Sequence, residues 1–190
     1  MSGFEFLLGL FGLLAGLSLA EIFGGVARSV EVRKNIRIGT LTPLMATLMI
    51  IDIVAFWVAS WDLRDALVVG SPLILAVTVF AGVYYVGAYL VFPRTAEPGT
   101  DLDEHFLDVR ALVLGAMLIA NLCQLAITVA WEGASPRSLW FAASALPLLI
   151  LLLVSMFASS RRVTQACLFG AVGYYLWSLL GYLLVAAVHD

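Results

Sequence analysis

The chain has 190 residues, 63% of them hydrophobic and 12% charged, with a net charge of −3 and a mean hydropathy of +1.04. A soluble domain carries about twice that share of charge, so the polar residues here are too few to cover one. The acidic balance, with no patch of aromatics among Lys and Arg, excludes a nucleic-acid partner. The partner the composition demands is the lipid bilayer.

Six apolar segments, at roughly 4–27, 42–61, 71–92, 108–131, 137–158 and 164–188, are each long enough to cross about 30 Å of hydrocarbon. They predict an all-α polytopic membrane protein, one six-helix domain over 1–190. The first segment has Glu5 where a cleavable signal would need positive charge, and it is long enough to span. At 100° per residue Glu5, Gly9, Gly12, Gly16, Ala20, Gly24 and Ala27 share a sector of about 120°. Small residues at this spacing allow close backbone approach. The stripe is expected to be the buried face of the helix, and the Gly9/Gly12/Gly16/Gly24 face is also a candidate contact in a homo-oligomer. Glu21 lies on its flank, about two turns from the helix end.

The second segment carries the most costly residue of the chain. Asp52 is the only charge in residues 41–61, LTPLMATLMIIDIVAFWVASW. At about 1.5 Å per residue it lies roughly 14–16 Å from either end of such a helix. A carboxylate at that depth costs on the order of 3 kcal/mol. It therefore needs either a use or a partner. In an antiparallel hairpin of the first two helices, Glu21 and Asp52 would differ in depth by about 5 Å, one helical turn. If rotation brought them together they would share a proton, as a relay pair does. Without such a pairing, Asp52 is an interhelical hydrogen-bonding group and Glu21 snorkels to the headgroups.

Three segments open with the same device: Thr42 and Pro43, Ser71 and Pro72, Ser135 and Pro136, a hydroxyl to cap free N–H groups and a proline with preset φ. Pro93 ends the third segment, and the polar stretch 94–104 (RTAEPGTDLDE) divides the chain into halves 1–93 and 104–190. Three helices per half would make homologous halves insert in opposite senses. All six tyrosines lie in the third helix of each half, within the similar strings FAGVYY (80–85) and FGAVGYY (169–175) and at Tyr89 and Tyr182. An inverted repeat and coincidence explain this equally well.

Acidic residues at 101, 103 and 104 suit the start of the fourth helix; with Asp108 they read as a solvated helix start, not a calcium loop. Arg110, Asn121, Gln124 and Thr128 fall on one face within about 60°. Such groups must find partners inside the protein, so this face looks inward, as pathway lining or as interhelical glue. Pro147 should kink the fifth helix.

Charge bias sets the orientation. The first, third and fifth loops with the start of helix four hold eight of the ten Lys and Arg (28, 33, 34, 37, 94, 110, 161, 162), leaving Arg64 and Arg137 opposite. By the positive-inside rule both termini lie outside, and Trp61, Trp131 and Trp140 form an outer aromatic belt. The run 27–37 needs no role beyond this. Cys123 and Cys167 sit in apolar runs as small core residues.

No cluster of His, Cys and carboxylates has metal-ligand spacing, and His105 and His189 lie at opposite membrane faces. No phosphate loop, G-x-S-x-G or H-E-x-x-H motif occurs, so neither a cofactor nor an enzyme is expected. The reading is a small ion- or proton-linked transporter or channel of the bacterial inner membrane. Asp52 and Glu21 would be its ion- or proton-binding groups, with Asn121, Gln124 and Thr128 along the path of an ion or small solute. The alternative is a non-catalytic assembly, sensory or structural subunit. Asp52 in a hydrated cavity beside Glu21 would favour the first; a dry helix contact would favour the second.

Overall fold

The computed structural model describes residues 3–62, 70–133 and 135–189, the side chains of 61, 62, 131, 132, 137 and 181–189 excepted. Among the described residues there are six helices: α1 (Gly3–Glu31), α2 (Leu41–Asp62), α3 (Ser71–Leu90), α4 (Leu102–Glu132), α5 (Pro136–Phe157) and α6 (Arg161–His189). Each contains a stretch long and apolar enough to cross a membrane. Lipid offers no partner to a bare backbone amide, so a run of this composition closes its hydrogen bonds within a helix.

The helices form a ring in the order α1, α3, α4, α5, α6, α2, with α2 also pressed across the middle against α4. α2 is accordingly the most enclosed helix: Leu41, Met45, Leu48 and Met49 are inaccessible to solvent. The neighbour order does not repeat between the halves. α1 packs along α3, whereas among the described residues α4 and α6 make no comparable contact.

Loops 32–40, 91–101 and 158–160 meet at one end of the ring, which therefore gathers most of the positive charge (the basic end). A short bridge joins the first two loops: Arg37 N–H donates to the Thr100 carbonyl, and Leu102 N–H to that of Arg37, each at 2.9 Å. Asp103 ties in the third. Its carboxylate accepts from the backbone N–H groups of Thr40 (2.9 Å), Leu41 (2.9 Å) and Thr42 (3.0 Å), and from the Arg161 guanidinium. One residue of α4 thus caps α2 and anchors α6. Gly39 makes this approach feasible: its φ is +67°, and a Cβ there would overlap the Asp103 carboxylate.

Several expectations are corrected here. Asp103 is wholly buried rather than solvated, because it supplies the acceptor that the first turn of α2 lacks. Thr42 does not cap α2; it lies within the helix, and its hydroxyl donates to the Leu102 carbonyl at 2.7 Å. α3 is capped by Gly70 without a side-chain bond. Only Ser135 acts as expected, exchanging hydrogen bonds with Ser138 in a capping box. α4 starts at Leu102, ahead of the apolar span and at the acidic turn expected to open it, since Asp101 accepts from the Asp103 and Glu104 N–H groups and caps it there.

The glycine stripe is the largest correction. The buried face of α1 is Leu7, Phe11, Ala15, Ser18, Ile22, Gly25 and Ser29. Gly9 and Gly16 have open space about them, and Gly24 meets only Arg28 of its own helix. Gly12 alone is close-packed, against Trp57 of α2. The close approach falls instead at Gly25, where a Cβ would overlap the Phe92 ring.

Candidate functional site

Asp52 is 2% exposed, at the crossing of α2 with α4 in the centre of the ring. Its carboxyl group is met by donors from three helices. Tyr84 of α3 donates to Oδ2 at 2.9 Å and Tyr175 of α6 donates to Oδ1. Asn121 of α4 brings Nδ2 within 3.2 Å of Oδ1 and 3.5 Å of Oδ2. That amide also donates to the Met117 carbonyl at 3.0 Å, which sets its orientation. The carboxyl is thereby bound to α3, α4 and α6, as burial in a low-dielectric interior requires.

A cavity of about 20 Å³ adjoins Asp52 between α1, α2 and α3, room for a single water. Ser18, buried on α1, lines it and donates to the Leu14 carbonyl at 3.2 Å. The remaining walls are apolar, chiefly Phe11, Ile53, Phe56, Phe80 and Ala81. Away from the basic end a second cavity opens, of about 260 Å³, between α1, α2, α3 and α4. Phe11, Phe56 and Phe80 line both cavities. Their ring centroids are 5.3 Å (Phe11 to Phe56), 4.7 Å (Phe56 to Phe80) and 6.2 Å (Phe11 to Phe80) apart. These rings form a layer between the large cavity and the carboxyl group.

Toward the basic end lies Glu21. The Tyr85 hydroxyl donates to its Oε1 at 3.4 Å, and Arg94 Nη2 stands 4.0 Å from the same oxygen. Arg94 also lies over the Tyr89 ring, 4.0 Å from its centroid. Beyond them a third cavity of about 230 Å³ is lined by Arg28, Glu31, Pro93 and Arg94 among others.

Of the residues singled out from sequence, the fold therefore brings only Asn121 to Asp52. Gln124 lines the large cavity instead. Thr128 donates to the Gln124 carbonyl of its own helix at 3.1 Å. Glu21 does not pair with Asp52: successive tyrosines on α3 separate the two acids, Tyr84 taking one and Tyr85 the other. Arg110 serves neither acid and donates to the Met156 carbonyl near the end of α5 at 3.3 Å. Cys123 is exposed and lines the large cavity, whereas Cys167 is buried; both are free thiols. Trp140 is well exposed near the start of α5, while the side chains of Trp61, Trp131 and His189 lie outside those described.

The tyrosines were the missed partners. Their confinement to two helices was a usable signal, since a buried phenol needs a hydrogen-bonding partner and Asp52 was a deep acid in need of donors. Taken together, six apolar helices around a buried polar centre define a multi-pass helical membrane protein. No family model, curated protein or solved structure matches the chain.

Proposed function

We propose that the protein is a small ion- or proton-linked transporter or channel, with Asp52 as its exchangeable group. The observation that carries this reading is the succession of three cavities along α1, with Asp52 beside the middle one. The aromatic layer stands between that middle cavity and the large one, and on this reading it acts as a gate. Glu21, held between Tyr85 and Arg94, would pass the ion or proton on toward the basic end. Asn121 and Gln124 would face the path from α4, and Thr128 would stiffen that face.

The basic end is assigned to the cytoplasm by the positive-inside rule, which leaves both termini outside. We assign the membrane as the bacterial inner membrane, from the compactness of a chain with short loops. The reading takes 1–190 as one unit, since the neighbour order of the helices differs between the halves. The Gly9/Gly12/Gly16/Gly24 face, exposed at Gly9 and Gly16, is proposed as a contact between copies of the chain. No enzymatic activity is proposed.

One observation favours a second reading, a non-catalytic structural or assembly subunit. The Asp52 oxygens are satisfied by three donors from three helices, which is what a purely structural clamp requires. Flux separates the two. Purified protein in liposomes should carry a pH-dependent ion or proton flux that Asp52→Asn abolishes. An unchanged flux in the variant removes Asp52 from the mechanism, and no flux in the wild type supports the clamp.

A further inference from the structure

The large cavity lies at membrane depth and its walls select what it can hold. Its polar groups are few: the Ser60 hydroxyl, which already donates to the Phe56 carbonyl at 2.8 Å, the Cys123 thiol and the Gln124 amide. A hydrated inorganic ion would lose its water there and gain almost no ligands in return. An anion would meet no Lys or Arg in the lining. The volume, about 260 Å³, suits a compact organic molecule at the small end of ligand sites. The floor is the Phe11, Phe56 and Phe80 layer, and directly behind it stands the carboxyl group of Asp52. Aromatic faces attract a cation within about 6 Å, most strongly where water is excluded. Apolar walls, a floor of π-faces and an acid beneath the floor together complement one ligand chemistry.

We infer that this cavity is a binding site for a small lipophilic amine, its apolar body between α1, α3 and α4 and its ammonium group on the Phe11, Phe56 and Phe80 rings, with Asp52 as the counter-charge. The inference rests on the transport reading and names its substrate class. Transport would then require the phenylalanine rings to rotate apart, so that the ammonium group reaches Asp52 and displaces a tyrosine or asparagine donor. Gln124 contributes to the same site: no side-chain hydrogen bond of its amide is formed among the described residues, so it is available to a polar atom of the ligand.

The test compares N,N-dimethylbenzylamine with isobutylbenzene, a neutral hydrocarbon of the same shape, by calorimetric titration of the detergent-solubilised full chain against empty micelles. The expected result is saturable binding of both, with the amine at least tenfold tighter. Asp52→Asn should remove that preference and keep the hydrocarbon. Ala76→Trp, on the exposed side of the cavity wall and clear of the Asp52 contacts, should abolish both, which keeps the test valid if Asp52→Asn fails to fold. Equal affinity for the two probes, as a slot for a lipid tail would give, overturns the inference; so does no binding, or a preference that survives Asp52→Asn. Proton flux measured without amine separates the two readings. Flux with no amine preference leaves transport standing and sinks the substrate class, whereas amine preference without flux leaves the site and sinks transport.

Discussion

Tyr84 donates to one oxygen of the Asp52 carboxyl group and Tyr175 to the other, so that a helix from each half of the chain closes on the same acid. Two phenols and the Asn121 amide hold α3, α4 and α6 to the centre of α2, and the ring of helices is tied at its middle.

Loss of either phenol should weaken the fold measurably. Tyr84→Phe or Tyr175→Phe leaves a buried carboxyl oxygen short of a donor, at a cost of about 1–3 kcal/mol. Because the two donors share one acceptor group, the double variant should cost something other than the sum of the singles. Thermal melting in detergent measures this; strict additivity would mean that the two contacts are independent.

At the basic end the cap should matter more than the ion pair. Asp103→Ala strips three N–H groups of their acceptor at the start of α2, which should cost at least about 2 kcal/mol. Arg161→Gln removes a half-exposed partner and should cost under about 1 kcal/mol. Equal losses in melting temperature would show that the charge pair, not the cap, holds the helix.

Gly39→Ala should be far more damaging than Gly99→Ala. Both glycines have positive φ, at +67° and +93°, and share the backbone strain of about 1 kcal/mol or more that a side chain brings there. Only at Gly39 does the new methyl group also collide with Asp103. If chemical denaturation ranked the two alike, the Asp103 contact would not be tight.

Gly16→Leu separates folding from assembly. The position is exposed, with open space around it, so the monomer should melt within about 0.5 kcal/mol of wild type. If copies meet through the α1 stripe, native mass spectrometry should show the oligomer lost in the variant. An oligomer that survives Gly16→Leu uses another face.

Glu21→Gln tests the relay apart from stability. Its neighbours are distant or exposed, with Arg94 4.0 Å away and more than half exposed, so the fold should lose less than about 1 kcal/mol. Flux in liposomes should nevertheless fall several-fold if Glu21 hands on the ion. A flux equal to wild type assigns Glu21 to the headgroup region alone.

The sequence alone determined the number of apolar spans, their approximate bounds and the unequal sharing of charge among loops. It also marked Asp52 as a residue that must be turned inward and partnered. These follow from length, hydropathy and the cost of charge in hydrocarbon, none of which depends on how helices are rotated. Rotation was decided by the tertiary structure. The spans are apolar nearly all round, and lipid is as apolar as the interior, so no water-facing side tells a helix which way to turn. Hence Gly9 and Gly16 of α1, expected inside, lie outside, and Glu21, whose pairing with Asp52 was left to rotation, belongs to Tyr85 and Arg94. Asp103, read as solvated, is buried because the start of α2 arrives from far away in the chain to use it. The partners of Asp52 were decided the same way: only packing of α3 and α6 around α2 brings Tyr84 and Tyr175 to the one acid that needs them.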